Sequence, residues 1–375
     1  MDFELSEDQR LLKDSISRLL SDNYSFAQRR AYMAEPHGWS SKLWDQYAEL
    51  GLLGLPIDEK YGGFGGGPVD VMLVMEEFGR VMALEPFLAS VVLGATAVKL
   101  AGSESQKSMI LSAVAAGQVK LAFAHGEQQA RHDVTDVLTT AAKDGNAWII
   151  NGAKSVVLHG DCADKLIVSA RTSGNRHDAG GLTLFLVDAA AAGLARRGYA
   201  MRDGSRAAEI SLTNVRGELL GAVDGGLPVI ERVIQAGIAA FAAEAIGCME
   251  AMHAMTLDYM KTRQQFGKAI GQNQVMQHKA ADMLIAMEQG RSMTMLAAMM
   301  VDEEDADERA HNISLAKVGV GQAGRHVSQS AVQMHGGIGM TEEYAVGHYF
   351  RRVMTFEHVW GDTSWHLGVI ADKVA

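Results

Sequence analysis

An arginine, an aromatic residue and a glycine near residue 263 interrupt a sequence that otherwise has helical periodicity. Arg263 carries a planar guanidinium whose fixed fork of N–H donors matches the oxygens of a phosphate group. Phe266 supplies a flat apolar neighbour for the adenosine end of a nucleotide, and Gly267 follows it directly. These residue types suit a diphosphate site. The alternative is that Arg263 pairs with a carboxylate at the end of a helical bundle.

A second group of candidate residues follows about seventy positions later, in the run Gln333-Met-His335-Gly336-Gly337. Glycine has no Cβ, so adjacent glycines allow the backbone to come close to a ligand. Gly336 and Gly337 are therefore candidate contact residues. We expect His335 to be a packing residue rather than an acid or a base.

The composition is typical of a large globular protein. The chain has 375 residues, enough for two or three domains, and 40 glycines against 5 prolines favour ordered turns over linkers. A net charge of -11 argues against a nucleic-acid or anionic-membrane partner. The two cysteines lack metal-ligand spacing, so no metal site is predicted. Because no signal peptide or membrane-spanning run is recognisable, we expect a cytosolic location.

Periodicity divides the chain into three parts, predicted as domains at 1–120, 121–225 and 226–375. The first and last parts have helical spacing, whereas the middle part has short β-branched runs such as Lys165–Arg171 and Leu182–Asp188. Asn151-Gly152 lies between two apolar runs and predicts a two-residue hairpin turn. The predicted fold class is α+β multidomain, with an N-terminal α-helical domain, a middle β-barrel or sandwich domain and a C-terminal four-helix bundle.

The run from Tyr259 to Met283 resembles the signature of the acyl-CoA dehydrogenase family, and the run from Gln333 to Tyr344 resembles that family's C-terminal flavin-contact motif. The resemblance extends over essentially the whole chain. It implies an FAD-dependent oxidoreductase that removes two hydrogens from the Cα and Cβ of an acyl-CoA thioester. A carboxylate takes the α proton, the β hydride goes to flavin N5, and the electrons pass to an electron-transfer flavoprotein. The resemblance also implies a homotetramer, or a heterotetramer with a homologous subunit.

The same resemblance assigns cofactor contacts residue by residue. In the family, these positions contact an FAD that is held mainly by the adjacent subunit. The FAD-binding residues that the resemblance implies here are Arg263, Gln265, Phe266, Gln274, Gln333, Gly336 and Gly337.

Several positions depart from the family pattern around the flavin ring. The threonine of the family's Thr-Glu-Pro segment is replaced by Gly126. The tryptophan that usually covers the ring is replaced by Val156, and the threonine that usually bonds flavin N5 is replaced by Leu158. Ordinary sequence drift is one explanation. The other is that this chain completes the flavin site of a partner subunit rather than holding a ring of its own.

The catalytic base is also missing from its usual places. The family's Tyr-Glu-Gly-Thr run aligns with Val359-Trp360-Gly361-Asp362-Thr363, offset by one residue depending on the anchor, and neither placement supplies a glutamate. The alternative helix position falls on Gly237. Glu244, two helical turns after Gly237 and flanked by apolar residues, is the first candidate base, because burial favours a carboxyl that can accept a proton. Asp362 is the second candidate.

Three functional hypotheses follow from the resemblance. The chain is a self-sufficient acyl-CoA dehydrogenase, a degenerate partner subunit that completes a homologue's FAD site in a heterotetramer, or a flavin oxidase or monooxygenase on the same fold. The tail from Glu343 to Leu367 resembles small subunits of heteromeric acyl-CoA dehydrogenases, such as pimeloyl-CoA dehydrogenase small subunits. Such systems act on dicarboxylyl, bulky or steroid side-chain CoA thioesters.

Overall fold

The computed structural model describes residues 5–145 and 147–372. The helices before the strands are α1 (Glu7–Asn23), α2 (Phe26–Met33), α3 (Ser41–Glu49), α4 (Pro68–Val81), α5 (Ala95–Ala101) and α6 (Glu104–Ala115). The strands of the middle region are β1 (Leu121–Ala124), β2 (Thr140–Asp144), β3 (Ala147–Leu158), β4 (Lys165–Arg171), β5 (Leu182–Asp188), β6 (Leu194–Ala200) and β7 (Arg206–Leu220). After them come α7 (Gly226–Thr262), β8 (Gln264–Gln265), β9 (Lys268–Ala269), α8 (Gln274–Met300), α9 (Ala306–His335), α10 (Val346–His358) and α11 (Thr363–Asp372). The predicted order of helices, strands and helices is confirmed.

The chain folds as two compact units, each built from separate segments. The helical unit comprises Met1–Ala31, Pro68–Ala83 and Ile238–Ala375, and the β unit comprises Tyr32–Gly67 and Leu84–Gly237. The division into domains at 1–120, 121–225 and 226–375 stays a prediction.

Strands β1–β7 form one sheet that closes on itself. Antiparallel pairing joins β4 to β5, β5 to β7, β7 to β3 and β3 to β2, and the pair Thr140–Arg171 joins β2 back to β4. β1 adds to β4 in parallel, and β6 adds to β7. This circuit is a barrel, one of the two predicted architectures. Its interior is filled by apolar side chains, among them Ile150, Phe185 and Ile210.

The hairpin turn predicted at Asn151-Gly152 is wrong. Both residues lie inside the long strand β3, and the hairpin instead connects β2 to β3, where Asp144 pairs with Ala147. The glycine is needed for a different reason: a Cβ on Gly152 would come within 2.5 Å of the Thr139 hydroxyl. Gly152 also lies at a register shift in the pairing of β3 with β7. A glycine between apolar runs can therefore mark a close backbone approach as well as a turn.

A buried ion pair crosses the inside of the β unit. Lys154 on β3 is 0% exposed and donates to Glu127 Oε1 at 2.7 Å, to Ser169 Oγ at 3.1 Å and to the His125 carbonyl at 3.1 Å. Burial alone would raise the pKa of Glu127, but the Lys154 ammonium and hydrogen bonds to the carboxylate lower it to about 2. The pair joins the segment that begins at Gly126 to strand β3 of the barrel.

In the helical unit, glycines allow helices α4 and α7 to pack backbone to backbone. A Cβ on Gly79 of α4 would overlap the carbonyl of Glu244, and a Cβ on Gly247 of α7 would overlap the carbonyl of Glu76. The Cys248 thiol donates to the Gly79 carbonyl at 3.2 Å. Glu244 lies in this region of close approach and is 2% exposed.

We expect Lys154→Met to lower the free energy of unfolding by about 3–5 kcal/mol, because it leaves the Glu127 carboxylate buried without its counter-charge. Chemical denaturation of the purified protein measures the change. The double variant Glu127→Gln/Lys154→Met is the matched control and should recover much of the loss, since no buried charge remains. A single variant as stable as the wild type would contradict this account of the ion pair.

Candidate functional site

The candidate diphosphate residues lie where α7 ends. The backbone N–H of Arg263 donates to the Tyr259 carbonyl at 2.8 Å, which completes the last helical turn. Strands β8 and β9 then form a two-residue hairpin whose turn is Phe266-Gly267, with φ of +55° and +79°. Positive φ at both central residues is typical of a primed turn that reverses two short strands.

This hairpin presents its side chains to solvent. Phe266 is 99% exposed, and Arg263, Gln265 and Gln274 are exposed as well. Within residues 5–145 and 147–372, the Arg263 guanidinium forms no ion pair or hydrogen bond. The predicted alternative, a carboxylate partner for Arg263 at the bundle end, is therefore not found in the part of the chain that the structure describes.

The paired glycines lie where α9 ends. His335 is the last residue of the helix, and Gly336 follows with a φ of +65°, a backbone conformation that favours glycine. Gly336, Gly337 and the preceding Gln333 are exposed. A Cβ placed on either glycine would meet no atom within 4 Å, so the surface here is open to a ligand.

Aromatic side chains bring the ends of α7 and α9 together. The rings of Tyr259 and His335 stack with centroids 4.6 Å apart. Tyr344, which follows the glycine loop, lies 5.1 Å from the His335 ring and 6.5 Å from the Tyr259 ring. The chain positions that carry Arg263 and the paired glycines therefore share one end of the helical unit. Arg263 lies one helical turn after Tyr259, and Gly336 is the residue that follows His335. Both groups are therefore close to this aromatic contact.

The positions that correspond to the family's flavin-ring contacts lie in the β unit. Val156 has a φ of +53°, is 49% exposed and sits at a register shift between Lys154 and Val157. Leu158 ends β3, and Gly126 has no side chain. None of these three residues offers an indole face or a side-chain hydrogen-bond donor.

Glu244, the first candidate base, is 2% exposed and is engaged by an arginine. Arg352 of α10 donates Nε–H to Glu244 Oε1 at 2.6 Å and Nη2–H to Oε2 at 2.8 Å. The guanidinium also lies over the ring of Phe241, 4.3 Å from its centroid. This two-point contact occupies one lone-pair site on each carboxylate oxygen and holds the side chain in place. Its assignment as the base stays a prediction.

Asp362, the second candidate base, lies in the turn before α11. Its Oδ1 accepts the backbone N–H of Trp365 at 2.8 Å, a contact typical of a residue that caps a helix. Lys317 and His366 fasten the same turn by donating to the carbonyls of Val359 and Trp360, each at 3.0 Å. The role of Asp362 as a base also stays a prediction.

The sequence reasoning missed Arg352 as the partner of Glu244. A signal was present in α10, where the buried residues Tyr349, Arg352, Val353 and Phe356 repeat at helical spacing. An arginine on the apolar face of a helix indicates a buried acidic partner. Tyr259 and Tyr344 were also missed, because an aromatic contact between distant segments has no signature in one sequence.

Known proteins with similar sequences agree with this architecture. Models of the N-terminal, middle and C-terminal domains of acyl-CoA dehydrogenases match residues 6–118, 122–215 and 224–375. The acyl-CoA dehydrogenase FadE12 of Mycobacterium tuberculosis is 30% identical, over 91% of this chain and 89% of that protein. The chain belongs to the acyl-CoA dehydrogenase family. It is therefore an oxidoreductase of the class that acts on CH–CH groups, and the predicted fold class is confirmed.

A further relative and a solved structure are informative about assemblies in this family. CarC, a subunit of the caffeyl-CoA reductase-Etf complex of Acetobacterium woodii, is 28% identical over 84% of each chain. A chain of the ChsE4-ChsE5 complex from Mycobacterium tuberculosis is 25% identical, with a TM-score of 0.89, and the similarity covers 100% of this chain and 99% of that one.

FAD is the cofactor of this family, and the ends of α7 and α9 fit one part of it. Arg263 is exposed without a partner among the described residues, and the paired glycines leave open space above the backbone. These residues would hold the adenosine diphosphate part, while Val156 and Leu158 fit the flavin ring poorly. When bound, FAD supplies the hydride acceptor of the reaction. Among the described residues, no helix has the length and hydropathy to cross a membrane, and no cluster of three or more His, Cys, Asp or Glu side chains is arranged to hold a metal ion.

We expect Arg263→Ala to weaken FAD binding by the assembled protein about 10–100-fold, since a hydrogen bond to a charged group is worth about 1.5–3 kcal/mol. Fluorescence titration of the protein after removal of its flavin measures the dissociation constant. Lys261→Ala, which removes another exposed cation two residues earlier, is the matched control and should bind FAD normally. Equal affinities for Arg263→Ala and the wild type would remove the diphosphate assignment.

Proposed function

We propose that this chain is the partner subunit of a heteromeric acyl-CoA dehydrogenase, and that it completes an FAD site whose flavin ring is held by a homologous subunit. The observation that carries the proposal is an asymmetry within the chain. The adenosine diphosphate side of the site is present and exposed at Arg263, Phe266 and the paired glycines. The residues at the flavin-ring positions lack the functional groups that the family uses there.

The exposure of these residues supports a role toward another chain. Phe266 is an aromatic side chain held at the tip of a hairpin, with almost none of its surface covered. The positive φ angles of Phe266 and Gly267 define the turn of the hairpin, and this backbone conformation places the ring in solvent. In this position the Phe266 ring is accessible to a ligand or to another chain.

The surroundings of the candidate bases support the same proposal. Glu244 is closed into a buried pair with Arg352, and Asp362 caps α11. A proton acceptor has to reach the Cα proton of the substrate within hydrogen-bond distance. We therefore propose that the homologous subunit supplies the base, and that the Glu244–Arg352 pair serves to hold α7 to α10.

The substrate and the remaining partners follow from the family. We propose an acyl-CoA thioester as the substrate and an electron-transfer flavoprotein as the electron acceptor, in agreement with CarC, which is a subunit of a caffeyl-CoA reductase-Etf complex. We propose a heterotetramer as the assembly, and the ChsE4-ChsE5 complex supports the part of this proposal that concerns two different chains. A cytosolic location is consistent with these partners.

We expect the chain purified alone to be colourless, and a co-purified complex with its homologue to be yellow with about one FAD per two chains. Absorbance of the flavin, divided by the protein concentration, gives the stoichiometry. One FAD per chain in the protein purified alone would contradict the proposal and favour a self-sufficient enzyme.

Replacement of Glu244 distinguishes the two assignments of the base. We expect Glu244→Gln to leave the reductive bleaching of flavin by acyl-CoA substrate unchanged in the yellow assembly, because the pair with Arg352 is structural. The variant should instead unfold at a lower denaturant concentration, since a buried guanidinium loses its counter-charge. Loss of bleaching at an unchanged FAD content would identify Glu244 as the base and contradict the proposal.

A further inference from the structure

We propose that His335 is a positioning residue, whose ring fixes the end of α7 that carries Arg263 against the glycine loop that follows α9. This inference rests on the proposed function, because it concerns the adenosine diphosphate side of the same site. His335 itself is not required to touch the cofactor. Its role is to hold two contact points of the cofactor at a constant separation.

The geometry of the aromatic rings supports this role. The planes of Tyr259 and His335 are inclined by 27° with centroids 4.6 Å apart, which is a stacked arrangement. Tyr344 meets His335 at an interplanar angle of 49° and a centroid distance of 5.1 Å. Aromatic pairs in this range contribute beyond the burial of their surface, because the ring quadrupoles favour particular orientations. His335 touches both tyrosines and is the central ring of the three.

Each ring is attached to the backbone next to a residue of the site. Tyr259 accepts the N–H of Arg263 through its carbonyl, so its ring is one helical turn from the guanidinium. His335 immediately precedes Gly336, and Tyr344 follows the loop. The three rings therefore bracket the segments that present the cofactor contacts.

Other contacts of His335 make its ring a fixed support. The side chain is buried, and Nδ1 donates to the Ala331 carbonyl one turn earlier at 2.8 Å. Burial lowers the pKa of His335, although the backbone carbonyls of Ala331 and Met255 act in the opposite direction, so the uncharged ring is favoured. An uncharged ring can stack on a tyrosine without the loss of hydration that a buried imidazolium would suffer.

The far end of the glycine loop is anchored independently. Glu342 accepts hydrogen bonds from both terminal nitrogens of Arg351, at 2.6 and 3.0 Å. His348 donates Nε2–H to the Glu342 carbonyl at 3.1 Å. These contacts hold the C-terminal end of the loop. The position of its N-terminal end, where Gly336 and Gly337 lie, depends on His335.

Two substitutions of His335 separate the ring contact from the hydrogen bond. His335→Phe keeps a ring between the tyrosines and loses the bond to Ala331. His335→Gln keeps a donor for Ala331 and loses the ring. His326→Ala, which removes an exposed histidine from the same helix, is the matched control.

The experiment is a fluorescence titration of FAD into the flavin-free assembly, repeated with ADP as a competitor, together with chemical denaturation. We expect His335→Gln to raise the dissociation constants of FAD and ADP in parallel by about 3–10-fold, the range that corresponds to the loss of an aromatic contact. His335→Phe and the control should bind both ligands within about twofold of the wild type. Tyr344→Leu, which removes the contact from the opposite side, should reproduce the effect if His335→Gln does not fold.

The proposal is overturned if His335→Gln binds FAD and ADP like the wild type. It is also overturned if the phenylalanine and glutamine variants lose affinity equally, since the ring would then have no special role. These results are independent of the subunit that holds the flavin ring, because the titration is made on whichever assembly binds FAD. Flavin stoichiometry of the chain alone tests the proposed function separately.

Discussion

The contact between the rings of Tyr259 and His335 determines where the two cofactor motifs of this chain lie in relation to each other. The motifs are about seventy residues apart in the sequence and are carried by helices of 37 and 30 residues. In helices of this length, a small change in the packing angle displaces the ends by a large distance. The stacked rings lie within one turn of both motifs, so the separation of Arg263 from Gly336 depends on a local contact rather than on the whole length of the helices.

One buried glutamate in each unit is paired with a cation, and this pairing bears on the search for a catalytic base. Glu127 is paired with Lys154 in the β unit, and Glu244 is paired with Arg352 in the helical unit. Such pairs stabilise the buried charges but leave the carboxylates fewer free lone pairs for proton transfer. The pairing of Glu244 with Arg352 is one of the observations on which the proposed role as a partner subunit rests.

Much of the fold could be predicted from the sequence. The strands β4 and β5 coincide with the predicted runs, because their β-branched and aliphatic residues fill a buried sheet. Gly152 was misassigned because a glycine that avoids a clash with Thr139 and a glycine in a turn have the same local sequence. The two cofactor motifs were recognisable by residue type, but the approach of α7 to α9 depends on packing between distant segments. Arg352 shows the same limitation, since the identity of its acidic partner is set by the crossing of α7 and α10.

The structure of the assembled protein with bound FAD, determined by cryo-electron microscopy, tests the central claim most directly. The account predicts that the Arg263 guanidinium lies within hydrogen-bond distance of the FAD diphosphate, beside Gly336 and Gly337. It also predicts that the flavin ring lies against a homologous subunit and not against Val156 and Leu158 of this chain. A flavin ring packed on Val156 and Leu158, with its diphosphate away from Arg263 of every copy, would contradict it.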